Sequence, residues 1–143
     1  RYKDDQASHS FVGMTQRNKA MFGQVGMAYV YFTYGMHYCM NVVAKNDEYQ
    51  AGAVLLRALM PREGIDFMIK QRKTNVISNL TSGPAKLTLA LQITKKQYGE
   101  DLTKQAALFI TEGVKIKKSD VIERSRVGIK KASDKLWNFT VQN

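Results

Sequence analysis

The sequence predicts a mixed α+β domain, with antiparallel strands around a few short helices, and three observations carry that prediction. Residues 27–44 are rich in aromatic and β-branched side chains around a central glycine, the pattern of a β-hairpin. Residues 61–93 shift to apolar spacing of i, i+3, i+4, the period of helices that bury one face. Beyond residue 114 apolar residues again alternate with polar ones, the period of a strand.

The hairpin is expected to pair Ala28-Tyr29-Val30-Tyr31-Phe32-Thr33 with Tyr38-Cys39-Met40-Asn41-Val42-Val43 across the turn Tyr34-Gly35-Met36-His37. Gly35 takes positive φ without steric cost and suits a tight reversal. Large side chains in the turn are unusual: a tyrosine and a methionine at an exposed tip bury nothing of their own, so they imply a partner. A third strand is expected at residues 53–59, entered through Lys45-Asn46-Asp47-Glu48 and ended by Pro61, with Arg57 as the charged residue in an apolar run. Such an arginine needs a partner or a task. A first helix starts from Pro61, with Ile65, Met68 and Ile69 on one face. Residues 74–81 read as loop, and Ser82-Gly83-Pro84 introduces a second helix through residues 86–93, with Leu87, Ala90 and Leu91 on a common face. A further helical turn is expected at residues 101–107. Strand character returns at Val114 and Ile116, at Val127-Gly128-Ile129, and at Trp137, Phe139 and Val141.

At 143 residues the chain is expected to form one domain, and that length can bury a core. Its 22 Lys and Arg against 12 Asp and Glu give a net charge of +10. The excess is spread along the chain, with concentrations at Lys70/Arg72/Lys73, Lys95/Lys96, Lys115/Lys117/Lys118 and Lys130/Lys131. On a folded domain this suits a polyanion, either nucleic acid or an anionic membrane surface. A disordered basic tail is excluded by 44% hydrophobic residues and only 2 prolines. A structural zinc domain is excluded as well, because the single Cys39 and two histidines do not supply a ligand set. No run approaches the length of a membrane span. The chain opens on Arg1 and a polar stretch, so a fragment without its natural beginning is expected, and the absence of a signal peptide carries little weight.

Four of the seven tyrosines, Tyr29, Tyr31, Tyr34 and Tyr38, fall between positions 29 and 38, and strand geometry places Tyr29 and Tyr31 on one face. Aromatic faces on a basic domain invite base stacking, although half-buried tyrosines are also ordinary strand residues. The tip residues discriminate better, since Tyr34 and Met36 can wedge between base steps. His9, in Ala7-Ser8-His9-Ser10, can orient a base edge or exchange a proton near neutral pH, or serve simply as a hydrogen-bonding structural residue.

Taken in order, Ala7-Ser8-His9-Ser10, Thr15-Gln16-Arg17-Asn18, Met21-Phe22-Gly23, the segment from Tyr29 through Tyr34-Gly35-Met36-His37-Tyr38-Cys39-Met40-Asn41, Leu55-Leu56-Arg57-Ala58-Leu59, Leu80-Thr81-Ser82-Gly83-Pro84-Ala85-Lys86-Leu87 and Arg126-Val127-Gly128-Ile129 closely resemble the alkyladenine (3-methyladenine, methylpurine) DNA glycosylase family. The resemblance covers almost the whole chain. It implies a curved antiparallel sheet with short surrounding helices and a protruding, DNA-intercalating β-hairpin. It also implies a base-excision repair enzyme that flips an alkylated or deaminated purine out of duplex DNA and hydrolyses its N-glycosidic bond, without metal or organic cofactor. The expected partner is double-stranded DNA with a damaged purine and no membrane, and a monomer is expected, in the bacterial cytoplasm or nucleoid or the eukaryotic nucleus.

Residue by residue, the resemblance makes Tyr34 the intercalating tyrosine, flanked by Met36 and His37. Tyr31 stacks on the flipped base with His9 on its other side and the Ala7 backbone at its edge. Asn41 crowds the exocyclic amino group of guanine. Arg57 and the Val127 carbonyl hold the attacking water. Thr15, Arg17, Lys86 and Gly128 approach the DNA backbone or the lesion. The family's general-base glutamate lies in a Glu-Ala-Tyr segment ahead of the His9 motif; this chain begins after it, and Asp4 and Asp5 align downstream of that position. Gln16 stands where the family often has proline. The chain is therefore expected to be most of a glycosylase domain, truncated before the catalytic segment and open to a missing C-terminal tail. Two alternatives remain: a catalytically inactive fragment that still binds lesion DNA, and a basic RNA-binding or ribosome-associated domain.

Overall fold

The computed structural model describes residues 5–142. Arg1 to Asp4 and Asn143 lie outside the described residues, and with them the reading of Asp4. Among the described residues the strands are β1 (Ala28–Thr33), β2 (His37–Val43), β3 (Ala53–Leu55), β4 (Val121–Arg124) and β5 (Asn138–Val141), and the α-helices are α1 (Ile65–Arg72) and α2 (Pro84–Ala90). Pairing is antiparallel throughout, in one sheet of order β1-β2-β3 and a second of β4-β5.

The β1–β2 hairpin forms where the aromatic and β-branched residues predict it, with Tyr29 opposite Asn41, Tyr31 opposite Cys39 and Thr33 opposite His37. His37 is thus the first strand residue rather than part of the turn. Tyr34 (φ 52°) and Gly35 (φ 67°) occupy the reversal, and the Met36 N–H closes it on the Thr33 carbonyl at 3.2 Å. Positive φ at both central residues is what a type I′ turn requires.

Alternation gives the sheet two distinct faces. On one, Ala28, Val30 and Met40 pack with Leu87 of α2, Ile93 and Leu102. On the other, Tyr29 and Val43 pack with Ala51 and with Met21 of a short 3-10 helix, Lys19–Phe22. Tyr31, Cys39 and Asn41 share this second face. A third cluster, Met68, Leu80 and Ala90, joins α1 to α2, with Ile65 and Ile69 against it. Among the described residues β1 has only β2 as a strand neighbour. Its outer side is met by the Glu100 carbonyl and Gly99 N–H at Ala28, both at 2.8 Å, and by the Arg17 guanidinium at the Phe32 carbonyl, 3.4 Å.

Several expectations need correction. The third strand ends at Leu55 rather than residue 59, so Arg57 follows the strand instead of lying in it. The chain is drawn off the sheet because Leu59 is held to Thr81, its N–H on the Thr81 carbonyl at 3.3 Å and its carbonyl accepting the Thr81 hydroxyl at 2.6 Å. That extended tether also keeps Pro61 out of a helix: α1 begins at Ile65, after Gly64 turns through left-handed backbone at φ 68°. α2 starts with Pro84 in its first turn and stops at Ala90, ahead of the predicted residue 93, where Gln92 adopts φ 53°. The helical turn at residues 101–107 does not form. There the Asp101 carboxylate accepts the Thr103 N–H (3.0 Å) and hydroxyl (2.6 Å), a local bond that competes with helix. Val114 and Ile116 are exposed at 88% and 48%, alternating with no strand among the described residues to pair with. Val127-Gly128-Ile129 is no strand either, since Gly128 sits at φ 73° in a turn. The predicted strand at residues 137–141 is β5, and its partner β4 was not foreseen.

Candidate functional site

The tyrosine face of the sheet is covered by the segment that precedes it. Asn18 is 2% exposed and ties that segment together, its amide nitrogen donating to the carbonyls of His9 (2.7 Å) and Gly13 (2.9 Å) and its oxygen accepting the Thr15 N–H (2.6 Å). The result is a recess of about 340 Å³ lined by Ser8, His9, Val12, Thr15, Arg17 and Asn18. Its volume lies in the range of small-molecule sites, roughly 300–1,000 Å³.

His9 Nδ1 shares a hydrogen bond with the Tyr29 hydroxyl at 2.8 Å. Its ring meets Tyr31 with centroids 4.5 Å apart and planes at 81°. Burial, and then the Arg17 charge, hold the imidazole below its usual pKa, so His9 is neutral at physiological pH. Burial pushes the Tyr29 phenol up to about 12, and the Tyr31 phenol up further, so both remain protonated donors. Arg17 lies over the Tyr31 ring, 5.2 Å from its centroid. Cys39 stands opposite Tyr31 on β2, and its thiol is raised chiefly by burial. The Asn41 amide, 8% exposed, donates to the Tyr29 carbonyl at 3.1 Å. Arg57, two residues past the end of β3, is near enough for its positive charge to act on that thiol.

Thus the fold brings His9, Tyr31 and Asn41 to one face, with Ala7 two residues before His9, Arg17 and Thr15 in the recess, and Arg57 just past the end of β3. Tyr34 and Met36 stand at the hairpin tip, exposed at 86% and 67%, with His37 beside them. Lys86 is elsewhere: it lies on α2, which packs on the opposite face of the sheet, and its ammonium is held by Asn79 Oδ1 and by the Ser82 hydroxyl. Val127 and Gly128 occupy an exposed turn after β4. One expected geometry is absent. A base stacked between His9 and Tyr31 needs parallel rings about 7 Å apart, twice a contact distance, whereas these rings touch edge to face.

Sequence reasoning missed the buried pair that joins the ends of the site. Asp5 is 3% exposed and accepts two bonds from Arg126, at 2.5 and 2.9 Å, as well as the Ala7 N–H at 3.0 Å. Burial pushes its carboxyl up, but the Arg126 hydrogen bonds, the Ala7 N–H and the Arg126 charge outweigh this and hold it below the ordinary carboxylate range. The spacing Asp5-Gln6-Ala7 is a signal for the local turn; nothing local points to Arg126, 121 residues away. Among the described residues no cluster of His, Cys, Asp or Glu can hold a metal ion, and no helix is long and apolar enough to cross a membrane.

The sequence profile of the methylpurine-DNA glycosylase (MPG) family matches residues 1–143. The chain belongs to this family. It is 45% identical over 142 residues to a protein of Carboxydothermus hydrogenoformans, covering 99% of this chain and 74% of that one. A relative from Prosthecochloris aestuarii is 47% identical over 133 residues, 93% of this chain and 63% of the relative, and one from Francisella tularensis is 42% identical over 142 residues, 98% and 73%. All three carry the name "Putative 3-methyladenine DNA glycosylase". The chain thus spans between 63% and 74% of the length of these relatives.

Proposed function

We propose that this chain is the lesion-recognising part of a DNA glycosylase that flips an alkylated or deaminated purine from duplex DNA and hydrolyses its N-glycosidic bond. The observation that carries the reading, beside family membership, is Tyr34: a bulky aromatic side chain 86% exposed, on a backbone at φ 52°. That conformation costs a non-glycine residue about 1–2 kcal/mol, and the ring gains no packing in return. Strain at an exposed aromatic tip is explained when the ring fills the gap left by a flipped nucleotide.

The electron-poor ring of an alkylated purine gains from Tyr31 by stacking and cation–π attraction, worth on the order of 1 kcal/mol or more when desolvated. Its entry parts His9 from Tyr31, and neutral His9 lies against the base without charge repulsion. We assign to Asn41 the rejection of guanine through its exocyclic amino group, and to Arg57 and the Val127 carbonyl the positioning of the water. Asp5 is a poor general base, since its carboxylate is engaged by Arg126 and its pKa is lowered. We assign the base instead to the glutamate of the family's Glu-Ala-Tyr segment.

Excision of 3-methyladenine or hypoxanthine from a labelled duplex tests this in two forms, the chain as it stands and the chain extended by that segment. The extended form is expected to excise and the shorter form to bind only. Equal excision by both refutes the assignment of the base, and no excision by either refutes the glycosylase reading.

A further inference from the structure

We infer that Asp5 and Arg126 form a positioning clasp, fixing the Ala7–His9 side of the recess to the turn at residues 127–128. Its consequence for catalysis rests on the glycosylase reading, but its geometry does not.

Each partner also organises its own loop. Asp5 shapes the first loop: its Oδ1 accepts the Ala7 N–H at 3.0 Å and its carbonyl accepts the Ser8 N–H at 2.9 Å. Arg126 shapes the second, donating to the Ala132 carbonyl at 3.1 Å across the turn, with its guanidinium 5.3 Å from the centroid of the Trp137 ring. Two parallel bonds then join carboxylate and guanidinium, an arrangement that sets orientation as well as distance. Both side chains are withdrawn from water, at 4% and 13% exposure. A buried ion pair is a poor device for stability alone, because well-packed apolar residues serve as well. Arg126 Nε, moreover, is buried with no acceptor among the described residues. What the pair supplies is registration: the backbone at Ala7 and the carbonyl at Val127 lie two residues from Asp5 and one from Arg126. Neither side chain is needed as an acid or base. They are positioning residues.

The test compares Asp5→Asn, Arg126→Gln, Arg126→Lys and the double variant Asp5→Asn/Arg126→Gln, with Asp101→Asn at the exposed pair with Lys104 as the control. Single-turnover excision is measured in the form that turns over, well below each melting midpoint, and duplex affinity alongside it. Each single variant is expected to slow excision by on the order of 100-fold, the scale of an ångström's misplacement, with affinity within about threefold. The double variant is expected to be no slower than the singles, because the two residues act as one unit. Arg126→Lys keeps the charge but not the fork and should recover less than about a tenth of the rate. Excision within threefold of wild type in either single variant, additive losses in the double, or full recovery with lysine overturns the proposal.

Amide exchange supplies a readout independent of chemistry. Arg126→Gln should speed exchange at Ala7 and Ser8, and Asp5→Asn should speed it at residues 127–132. If each variant loosens only its own loop, the clasp is refuted. If wild type excises nothing while exchange is reciprocal, the functional reading fails and the clasp stands.

Discussion

Tyr34 and His9 show two ways in which a single residue becomes legible. Tyr34 was readable because a bulky residue beside a turn glycine has no core to enter. Replacing it with glycine should relieve backbone strain and raise stability by about 1 kcal/mol, while lowering affinity for a lesion duplex at least tenfold; unchanged affinity by fluorescence anisotropy would remove the wedge. His9 was visible as a candidate, but its bond to Tyr29 spans 20 residues and depends on the fold. Because its folded pKa lies below the ordinary value of 6.5, the unfolded chain takes up the proton first as pH falls. Stability is therefore fully present above about pH 6.5 and declines as pH drops toward the folded value. Urea denaturation at pH 7.5 and 5.5 should show this loss in wild type and a smaller one in His9→Gln. Asn18 drew no attention as a single residue, since only the closed loop reveals that one buried amide satisfies three backbone groups. Asn18→Ala should cost about 3 kcal/mol by stranding those groups, which thermal melting would register.

At the scale of elements, those with a packing partner near in sequence were the readable ones. The hairpin carries its own partner strand, and α2 carries proline at its start and Leu87 and Ala90 at its buried spacing. Leu87 is fully buried between α2 and the sheet, so Leu87→Ala should destabilise by about 3 kcal/mol, within the range for buried leucines; calorimetry showing less than 1 kcal/mol would mean the helix does not anchor the sheet. Unreadable elements were those decided from afar. The third strand is cut short by the tether to Thr81, Val114 and Ile116 alternate with no partner, and β4 exists because residues 138–141 return to pair with it.

For the whole molecule, the net charge of +10 predicts that duplex binding weakens with salt, log affinity falling by roughly 0.9 per decade of salt for each phosphate neutralised. Affinity flat between 50 and 200 mM salt would contradict a phosphate-facing surface. Charge and family were both legible in the sequence; the contact between the first and last thirds of the chain was not, since no local pattern encodes it. The outer side of β1 carries a different consequence. A strand with one neighbour offers its free backbone to any other chain in the solution. Here the 99–100 segment closes one end and Arg17 covers the Phe32 carbonyl at the other. The same guanidinium that borders the recess thus occupies one of the free acceptors on this edge. Arg17→Ala should cost solubility as well as affinity, and light scattering on concentrated, DNA-free samples would reveal it.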